Sequence, residues 1–226
     1  MADVAAVIPA GGVGTRFGGR TPKQFLRFGA LPILAVTVRH FTTHPAVGAV
    51  VVAAPDRYVA RTRRILAPVT RRTRVAVVAG GRTRQDSVWL GLQAAPDDAQ
   101  IIVVHDGVRP LITRTLVDAV VEAARASGAA ICALPVTETV KRVRGGLVEA
   151  TLDRAELWAV QTPQAFRADL LREAHEKARR DGITGTDDAI LVERLGHPVR
   201  VVRGLAENVK ITTREDLRRA RRAVGR

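Results

Sequence analysis

The stretch from Pro9 to Phe25, PAGGVGTRFGGRTPKQF, combines five glycines with the cationic side chains of Arg16, Arg20 and Lys23. It directly follows the short apolar run VAAVI. Glycine lets the backbone adopt positive φ and approach a ligand closely, so a glycine-rich loop after a strand is suited to hold phosphate oxygens. The cations would supply the counter-charge. The stretch therefore predicts a phosphate-binding loop.

This loop matches neither of two common phosphate-binding fingerprints. The dinucleotide pattern G-x-G-x-x-G fits Gly12 and Gly14, but Phe17 occupies the position of the third glycine. A Walker A loop requires Gly-Lys-Ser/Thr leading into a helix, whereas Lys23 follows a proline and precedes a glutamine. The remaining interpretation is a phosphate-binding loop of another design, which ends at a lysine held by a proline.

Apolar strands and helical patterns alternate along the first two thirds of the chain. The predicted strands are almost wholly apolar, as in sheets buried on both faces, and they lie at 5–10, 49–54, 74–80, 100–106 and 129–136. Helical periodicity fills segments between them, at 33–44, 56–69, 85–95 and 113–128. This order predicts an α/β fold with a Rossmann-like, mostly parallel sheet and helices on both faces.

Ligands in this class of fold bind beyond the carboxyl ends of the strands. The polar segments AGGVGTR, AGGRTRQDS and HDGVRP each follow a predicted strand. Because the carboxyl ends of parallel strands share one edge of the sheet, we expect these segments to converge on one cleft.

The composition is that of a protein without a membrane span. The 226 residues are 46% hydrophobic and 26% charged, and no apolar run approaches the roughly 18 residues that cross a bilayer. The N-terminal residues lack the basic start and cleavage site of a signal peptide, so we expect a cytoplasmic protein. The single cysteine, Cys132, lies in an apolar run and is interpreted as a buried structural thiol. The five histidines and this cysteine lack the spacing of a structural zinc site.

The formal net charge of +14 raises the question of a polyanionic partner. The arginines are spread over the whole chain, and aromatic residues make up only 4%, so no stacking platform accompanies the charge. The C-terminal run 213–226 has the pattern of an amphipathic helix with Leu217, Ala220 and Val224 inward. We interpret the charge as a solvated basic surface and expect no specific nucleic acid partner.

A different pattern occupies residues 136–157. Polar and apolar residues alternate there around Gly145 and Gly146, which is typical of a β-hairpin. One face of this hairpin would be polar, so we expect an arm that projects from the sheet. The whole pattern predicts one domain, residues 1–226, with the arm as its extension.

Seven segments, in this order along the chain, resemble one family of enzymes. They are 9–25, 79–88, 103–110, 135–143, 157–166, 185–189 and 207–213. The set resembles the 2-C-methyl-D-erythritol 4-phosphate cytidylyltransferases of the non-mevalonate isoprenoid pathway. The resemblance implies that CTP and methylerythritol 4-phosphate react, with Mg²⁺ as cofactor, to give CDP-methylerythritol and pyrophosphate.

The resemblance also implies which residues hold the nucleotide. Arg16 and Lys23 would bind the triphosphate and stabilise the pentavalent phosphorus, and Lys210 would contact the α-phosphate unless it is a solvated surface lysine. Asp106 would bind Mg²⁺, with a buried structural aspartate as the alternative. Arg109 would brace this loop or Asp106. The remaining nucleotide contacts would come from Ala10, Gly11, Gly12, Gly14, Gly81 and Ser87.

The acceptor side of the site would combine residues from two subunits. Thr139 and Arg154 lie on the predicted arm, and the resemblance implies that they reach the neighbouring subunit and hold the acceptor there. A homodimer with shared active sites would follow. Thr162 and Thr186 match acceptor-phosphate positions, with the two aspartates after Thr186 as alternatives.

Two other functions stay open at this point. Ribitol 5-phosphate cytidylyltransferase shares the nucleotide and the reaction, and the segments GGVGTRFG and HDGVRP fit it equally well, whereas LWAVQTPQAFR, GTDDA and TETVKRV favour the methylerythritol enzymes. A basic polyanion-binding protein would use the glycine loop to hold backbone phosphates. It would show steep salt dependence of binding and no CTP turnover.

Overall fold

The computed structural model describes residues 2–11, 21–70 and 73–224. Its strands are β1 Val4–Pro9, β2 Arg27–Phe28, β3 Leu31–Pro32, β4 Val47–Ala54, β5 Arg74–Ala79, β6 Ile101–Val104, β7 Ala129–Pro135, β8 Lys141–Arg144, β9 Leu147–Thr151, β10 Trp158–Arg167 and β11 Arg200–Arg203. Its α-helices are α1 Ile33–Thr42, α2 Val59–Leu66, α3 Arg84–Gln93, α4 Arg114–Ser127, α5 Ala168–Arg180, α6 Ala189–Glu193 and α7 Arg214–Val224.

A central sheet joins seven strands of the described chain in the order β11-β7-β10-β6-β1-β4-β5. Neighbouring strands pair in parallel, except that β10 runs antiparallel to both β6 and β7. The carboxyl ends of β1, β4, β5 and β6 therefore share one edge of the sheet. This mixed, mostly parallel sheet confirms the predicted fold class.

Helices cover both faces of the sheet, as β1 shows. Its residues Val4, Ala6 and Ile8 pack with side chains of α1 and α4, whereas Ala5 and Val7 pack with α3 and α5. Each of these five residues is at most 1% exposed. A strand buried on both faces needs an apolar side chain at every position, which explains why the run VAAVI shows no alternation.

The predicted strands and helices of the first two thirds all occur, with ends shifted by a few residues. β10 and α5 were not predicted as elements, although segment 157–166, which covers all of β10 except Arg167, was recognised as a motif. Proline normally marks edge strands or irregular positions because it cannot donate to the ladder. Pro163 lies inside β10 at a place where pairing with β7 changes register between Val160 and Gln164. This irregularity explains why the strand pattern was not evident.

Two smaller interpretations are confirmed. Leu217 and Ala220 of α7 are buried, whereas the side chain of Val224 lies outside the described part. Cys132 is fully buried, and burial raises the pKa of its thiol to about 12. Across the described ranges, the structure contains no helix whose length and apolar character would let it cross a membrane.

The segment 136–157 contains the predicted hairpin, in which β8 and β9 form a separate two-stranded sheet. Gly145 and Gly146 turn the chain with φ of 57° and 82°, a region that favours glycine. Val143, Leu147 and Val148 are 55%, 76% and 61% exposed. The hairpin thus presents apolar side chains that the other described residues leave exposed.

Candidate active site

A cleft with a volume of about 320 Å³ lies at the carboxyl edge of the sheet. Arg84 lines it, although the sequence analysis assigned that residue no role. Gly12, Gly14 and Arg16 were predicted to belong to the same site, but they lie outside the described residues. The predicted site residues that do line the cleft are Ala10, Gly11, Lys23, Gly81, Ser87, Asp106 and Lys210.

Lys23 is positioned by a short 3-10 turn, Lys23–Phe25, that is tied to the end of β1. The buried side chain of Gln24 donates a hydrogen bond from Nε2 to the carbonyl of Ala10, at 2.9 Å. Phe25 is also buried, and its ring lies 5.2 Å from that of Tyr58 and 4.5 Å below the guanidinium of Arg61. The two residues after Lys23 therefore anchor it at the mouth of the cleft.

The loop between β5 and α3 is supported by Ser87. The hydroxyl of Ser87 donates to the carbonyl of Thr83 at 2.9 Å and accepts from the amide of Gly81 at 3.1 Å. A Cβ at Gly81 would collide with the side chain of Asp86, and one at Gly80 would lie 2.9 Å from the Ser87 hydroxyl. The hydrogen bonds of Ser87 thus stabilise the loop, and Gly80 and Gly81 allow the close packing that they require.

Asp106 forms the centre of the charge in the cleft. Within the described chain, three cations contact its buried carboxylate: Lys210 Nζ at 3.0 Å, Arg84 Nε at 3.3 Å and Arg109 Nε at 3.3 Å. Burial alone would raise the pKa of Asp106, but the charges of Lys210, Arg84 and Arg109 outweigh it and hold this pKa well below its usual range. Asp106 is therefore a carboxylate at neutral pH.

Arg109 braces the loop that carries Asp106, as expected. Besides contacting Asp106, its Nη1 donates to the carbonyl of Asn208 at 2.7 Å. Asn208 belongs to segment 207–213, which also carries Lys210. Arg109 therefore holds together the two segments whose charged side chains, Asp106 and Lys210, meet in the cleft.

Thr162 lies beneath this loop rather than in the cleft. Its buried hydroxyl accepts from the amide of Asp106 at 3.0 Å and hydrogen-bonds to His105 Nδ1 at 3.1 Å. Burial lowers the pKa of His105 to about 3, so its ring is neutral, and its Nε2 hydrogen-bonds to the carbonyl of Arg109 at 3.1 Å. The two contacts of this hydroxyl support the Asp106 loop, and the contact of Thr162 with an acceptor phosphate stays a prediction.

Arg84 is the main residue of the cleft that the sequence analysis missed. It opens α3, and besides Asp106 it contacts Asp188, with 2.6 Å between Nη1 and Oδ2. Burial alone would lower the pKa of Arg84, but the carboxylates of Asp188 and Asp106 raise it above its usual value. Arg84 and its two partners are separated by 22 and 104 residues along the chain, so no local pattern marks them as a cluster.

The predicted acceptor residues lie outside the cleft of this chain. Thr139 and Arg154 are exposed near the hairpin, and Arg154 donates to the carbonyl of Thr137 at 2.6 Å. Thr186 is also exposed, in the loop before α6, while Asp188 in the same loop is buried against Arg84. Within the loop, Asp188 rather than Thr186 is thus connected to the floor of the cleft.

The resemblance implies Mg²⁺ as a cofactor. In this cleft, the carboxylate of Asp106 is the group that would bind it. Residues 2–11, 21–70 and 73–224 contain no group of three or more His, Cys, Asp or Glu side chains that could hold a metal ion. An ion held together with substrate phosphates needs only one or two carboxylates, because phosphate oxygens and water supply the other ligands. Asp106 fits that limited role. Of the three cations around it, only Arg84 contacts Oδ1, so this oxygen retains a lone pair for an ion.

The fold and the cleft define the class of this protein. A mostly parallel α/β sheet with a glycine-lined, cationic cleft at its carboxyl edge is typical of nucleotide-binding folds. Solved cytidylyltransferase structures share this architecture, so the fold is nucleotidyltransferase-like. The chain belongs to the IspD family, 2-C-methyl-D-erythritol 4-phosphate cytidylyltransferase, whose model matches residues 4–226.

Individual relatives agree with this assignment. The chain is 49% identical to the 2-C-methyl-D-erythritol 4-phosphate cytidylyltransferase of Symbiobacterium thermophilum, over 96% of this chain and 91% of that protein. The crystal structure of the enzyme of that name from Thermus thermophilus is 37% identical, with a TM-score of 0.82 and 98% of each chain covered. A 4-diphosphocytidyl-2C-methyl-D-erythritol synthase from Anaerococcus prevotii has a TM-score of 0.87 at 28% identity, covering 99% of this chain and 98% of that one.

Proposed function

We propose that this chain transfers CMP from CTP to 2-C-methyl-D-erythritol 4-phosphate, forming CDP-methylerythritol and pyrophosphate in isoprenoid precursor biosynthesis. The observation that carries the proposal is the family match over residues 4–226, which spans every described segment lining the cleft. We also propose a cytoplasmic location.

The proposed reaction requires positioning and charge stabilisation more than proton transfer. A phosphate monoester has a second pKa of about 6, so the acceptor phosphate is already largely ionised at neutral pH and needs no general base. One of its oxygens bonds to the α-phosphorus of CTP, and the bond from that phosphorus to the oxygen of the leaving pyrophosphate breaks. Negative charge accumulates around the α-phosphorus, and fixed cations stabilise it.

Cationic residues of the cleft suit this task. In the proposed mechanism Lys23 and Arg16 bind the triphosphate, and Lys210 contacts the α-phosphate. The side chain of Lys210 is 40% exposed, so it can reach a ligand from its position beside Asp106. The backbone of Gly11 and Gly81, together with Ala10, Gly12 and Gly14, would approach the nucleotide, and Ser87 would support that backbone.

Asp106 is the residue proposed to bind Mg²⁺. When bound, the ion would offset negative charge on the phosphates of the nucleotide. Asp106 would hold the ion with one carboxylate, while Arg84 and Arg109 keep that carboxylate oriented. The Thr162 hydroxyl contributes to the same orientation, because it accepts the hydrogen bond of the Asp106 amide.

The test of the proposed function is a comparison of acceptors. Purified protein is incubated with Mg²⁺, CTP and either methylerythritol 4-phosphate or ribitol 5-phosphate, and pyrophosphate release is followed together with the mass of the product. Turnover with the methylerythritol substrate alone is expected. Turnover with ribitol 5-phosphate alone would replace the proposed acceptor, and a lack of turnover with both would favour the polyanion-binding alternative.

We further propose a homodimer in which Thr139 and Arg154 of one subunit complete the acceptor site of the other. The support for this proposal is the hairpin arm, because no other part of the described chain buries its exposed apolar side chains. The single domain proposed for residues 1–226 would thus extend its arm, residues 136–157, across to a second copy.

Leu147→Asp is expected to weaken the dimer, because it puts a charge on the most exposed apolar side chain of the arm, at 76% exposure. The KM for the acceptor should rise about 10- to 100-fold if misplacement of the partner's arm is the cause. Light scattering measures the mass and steady-state kinetics the KM. Leu90→Asp, at a 39% exposed position on α3, is the matched control and should leave both unchanged. A fully active monomeric wild type would contradict the proposal.

A further inference from the structure

Arg84 joins two buried carboxylates that come from distant parts of the chain. Its Nε contacts Asp106 Oδ1 at 3.3 Å, and its Nη1 contacts Asp188 Oδ2 at 2.6 Å. Asp106 and Asp188 are only 6% and 1% exposed, so each depends on a cation that stays in place. Nη2 of Arg84 is buried without a hydrogen-bond partner in the described chain. The guanidinium is thus held where the two carboxylates need it, although one of its own donors is left unpaired.

Asp188 is itself held firmly by its other neighbours. Its Oδ1 contacts Nε2 of the fully buried His175 at 3.1 Å, and its amide donates to Gln164 Oε1 at 3.3 Å. The His175 ring stacks on Trp89 with centroids 6.4 Å apart. Contacts other than its ion pair with Arg84 therefore hold Asp188 in place.

The residue after Arg84 holds the same loop by a second set of contacts. Gln85 donates from Nε2 to the carbonyl of Ile183 at 3.0 Å, and its Oε1 accepts from the amide of Gly185 at 2.8 Å. Together with the contact between Arg84 and Asp188, these bonds connect the first turn of α3 to segment 183–188. That segment carries Thr186, the residue matched to an acceptor-phosphate position.

We propose that Arg84 is a positioning residue that couples the nucleotide side of the cleft to the acceptor side. It orients the Asp106 carboxylate. Through its contact with Asp188, it also fixes the position of segment 183–188 relative to the cleft. The first turn of α3 directly follows the loop of Gly81, so one helical turn connects the nucleotide loop, Asp106 and the acceptor segment. This inference rests on the proposed function.

The test is a double-mutant cycle between Arg84→Lys and Asp188→Asn, which replace each partner with a side chain of similar size. Lysine keeps the charge of Arg84 but cannot contact two carboxylates in the fork geometry of arginine. We expect Arg84→Lys to lower kcat about 100-fold and Asp188→Asn about 10-fold, since a small misplacement of reacting groups has effects of this order. The acceptor KM should rise about 10-fold in both variants. The double variant should be no slower than Arg84→Lys, because the two residues act through one contact.

A separate binding measurement distinguishes positioning from a merely structural role. The Kd for CTP, measured by calorimetry without acceptor and without Mg²⁺, should change less than about threefold, because neither substitution removes a residue proposed to contact the triphosphate directly. Arg125→Lys and Asp3→Asn are the matched controls, since this exposed pair makes two contacts of 2.7 Å at the opposite edge of the sheet. Both controls should leave kcat and the acceptor KM unchanged.

Clear outcomes would overturn the inference. Folded variants with wild-type kcat and acceptor KM would do so, as would single effects that multiply in the double variant. If Arg84→Lys does not fold, the inference is tested by Asp188→Asn alone, for which kcat, the acceptor KM and the CTP Kd are measured. A wild-type protein that turns over neither acceptor would instead refute the proposed function, so the two failures are distinguishable.

Discussion

Lys23→Ala is expected to lower kcat by about two to four orders of magnitude, the range that follows the loss of a charge-stabilising group at a reacting centre. Lys23 lines the cleft, and Gln24 and Phe25 fix the turn on which it lies. Removing its ammonium group leaves this anchored backbone intact but takes away one of the charges proposed to face the triphosphate. Pyrophosphate release under saturating CTP and acceptor measures the effect.

The control for Lys23→Ala is Lys177→Ala, which removes a lysine that pairs with Asp181 on the surface of α5. This variant should retain wild-type kcat. Gln24→Ala tests the anchor: without the hydrogen bond to Ala10, the turn loosens and kcat should fall by a smaller factor than in Lys23→Ala. Turnover near the wild-type rate in folded Lys23→Ala protein would refute the proposed role of this residue.

The part of the cleft that the sequence predicted consists of residues that lie close to a strand end. Gly11, Asp106 and the loop of Gly81 directly follow apolar runs, and parallel strands bring such loops to one edge. Their residue types also carry a local signal, because glycines let the backbone approach a ligand and charges can bind it. Lys23 was found because it ends the glycine-rich loop, whereas Lys210 and Ser87 were assigned from the family resemblance.

The part that was missed depends on contacts across the fold. In a strongly basic chain, the sequence does not distinguish Arg84 from the other arginines. Its two carboxylate partners come from separate segments, Asp106 from the loop after β6 and Asp188 from segment 183–188. Thr162 lies in the central strand β10, and its hydroxyl accepts from the amide of Asp106, a contact that the spacing along the chain does not indicate. Burial and orientation of this kind follow from tertiary structure and not from spacing.

Asp106→Asn is the second substitution for which we expect a large effect. It preserves the shape of the side chain but removes the negative charge that Lys210, Arg84 and Arg109 share. Arg84 keeps Asp188, and Arg109 keeps the carbonyl of Asn208, whereas no carboxylate other than Asp106 contacts Lys210 among the described ion pairs. Lys210 should therefore lose its orientation more than the two arginines do.

The expected result is a decrease of kcat by about two to three orders of magnitude, because the proposed Mg²⁺ carboxylate and the anchor of Lys210 are lost together. The free energy of unfolding should fall by about 1–3 kcal/mol, since a buried hydrogen-bonded group loses its charged partner while the arginines retain other contacts. Urea denaturation measures the second quantity. Asp118→Asn, at a half-exposed aspartate that pairs with His44, serves as the control and should leave kcat unchanged.

The dependence on Mg²⁺ separates the two contributions of Asp106. If Asp106 binds the ion, Asp106→Asn should need a higher Mg²⁺ concentration for half-maximal turnover, whereas Lys210→Ala should lower kcat with little change in that concentration. An unchanged requirement for Mg²⁺ in Asp106→Asn would leave the carboxylate as the anchor of Lys210 and Arg84 and would refute its role as a metal ligand. The charge cluster around Asp106 would then act on the nucleotide through its cations alone.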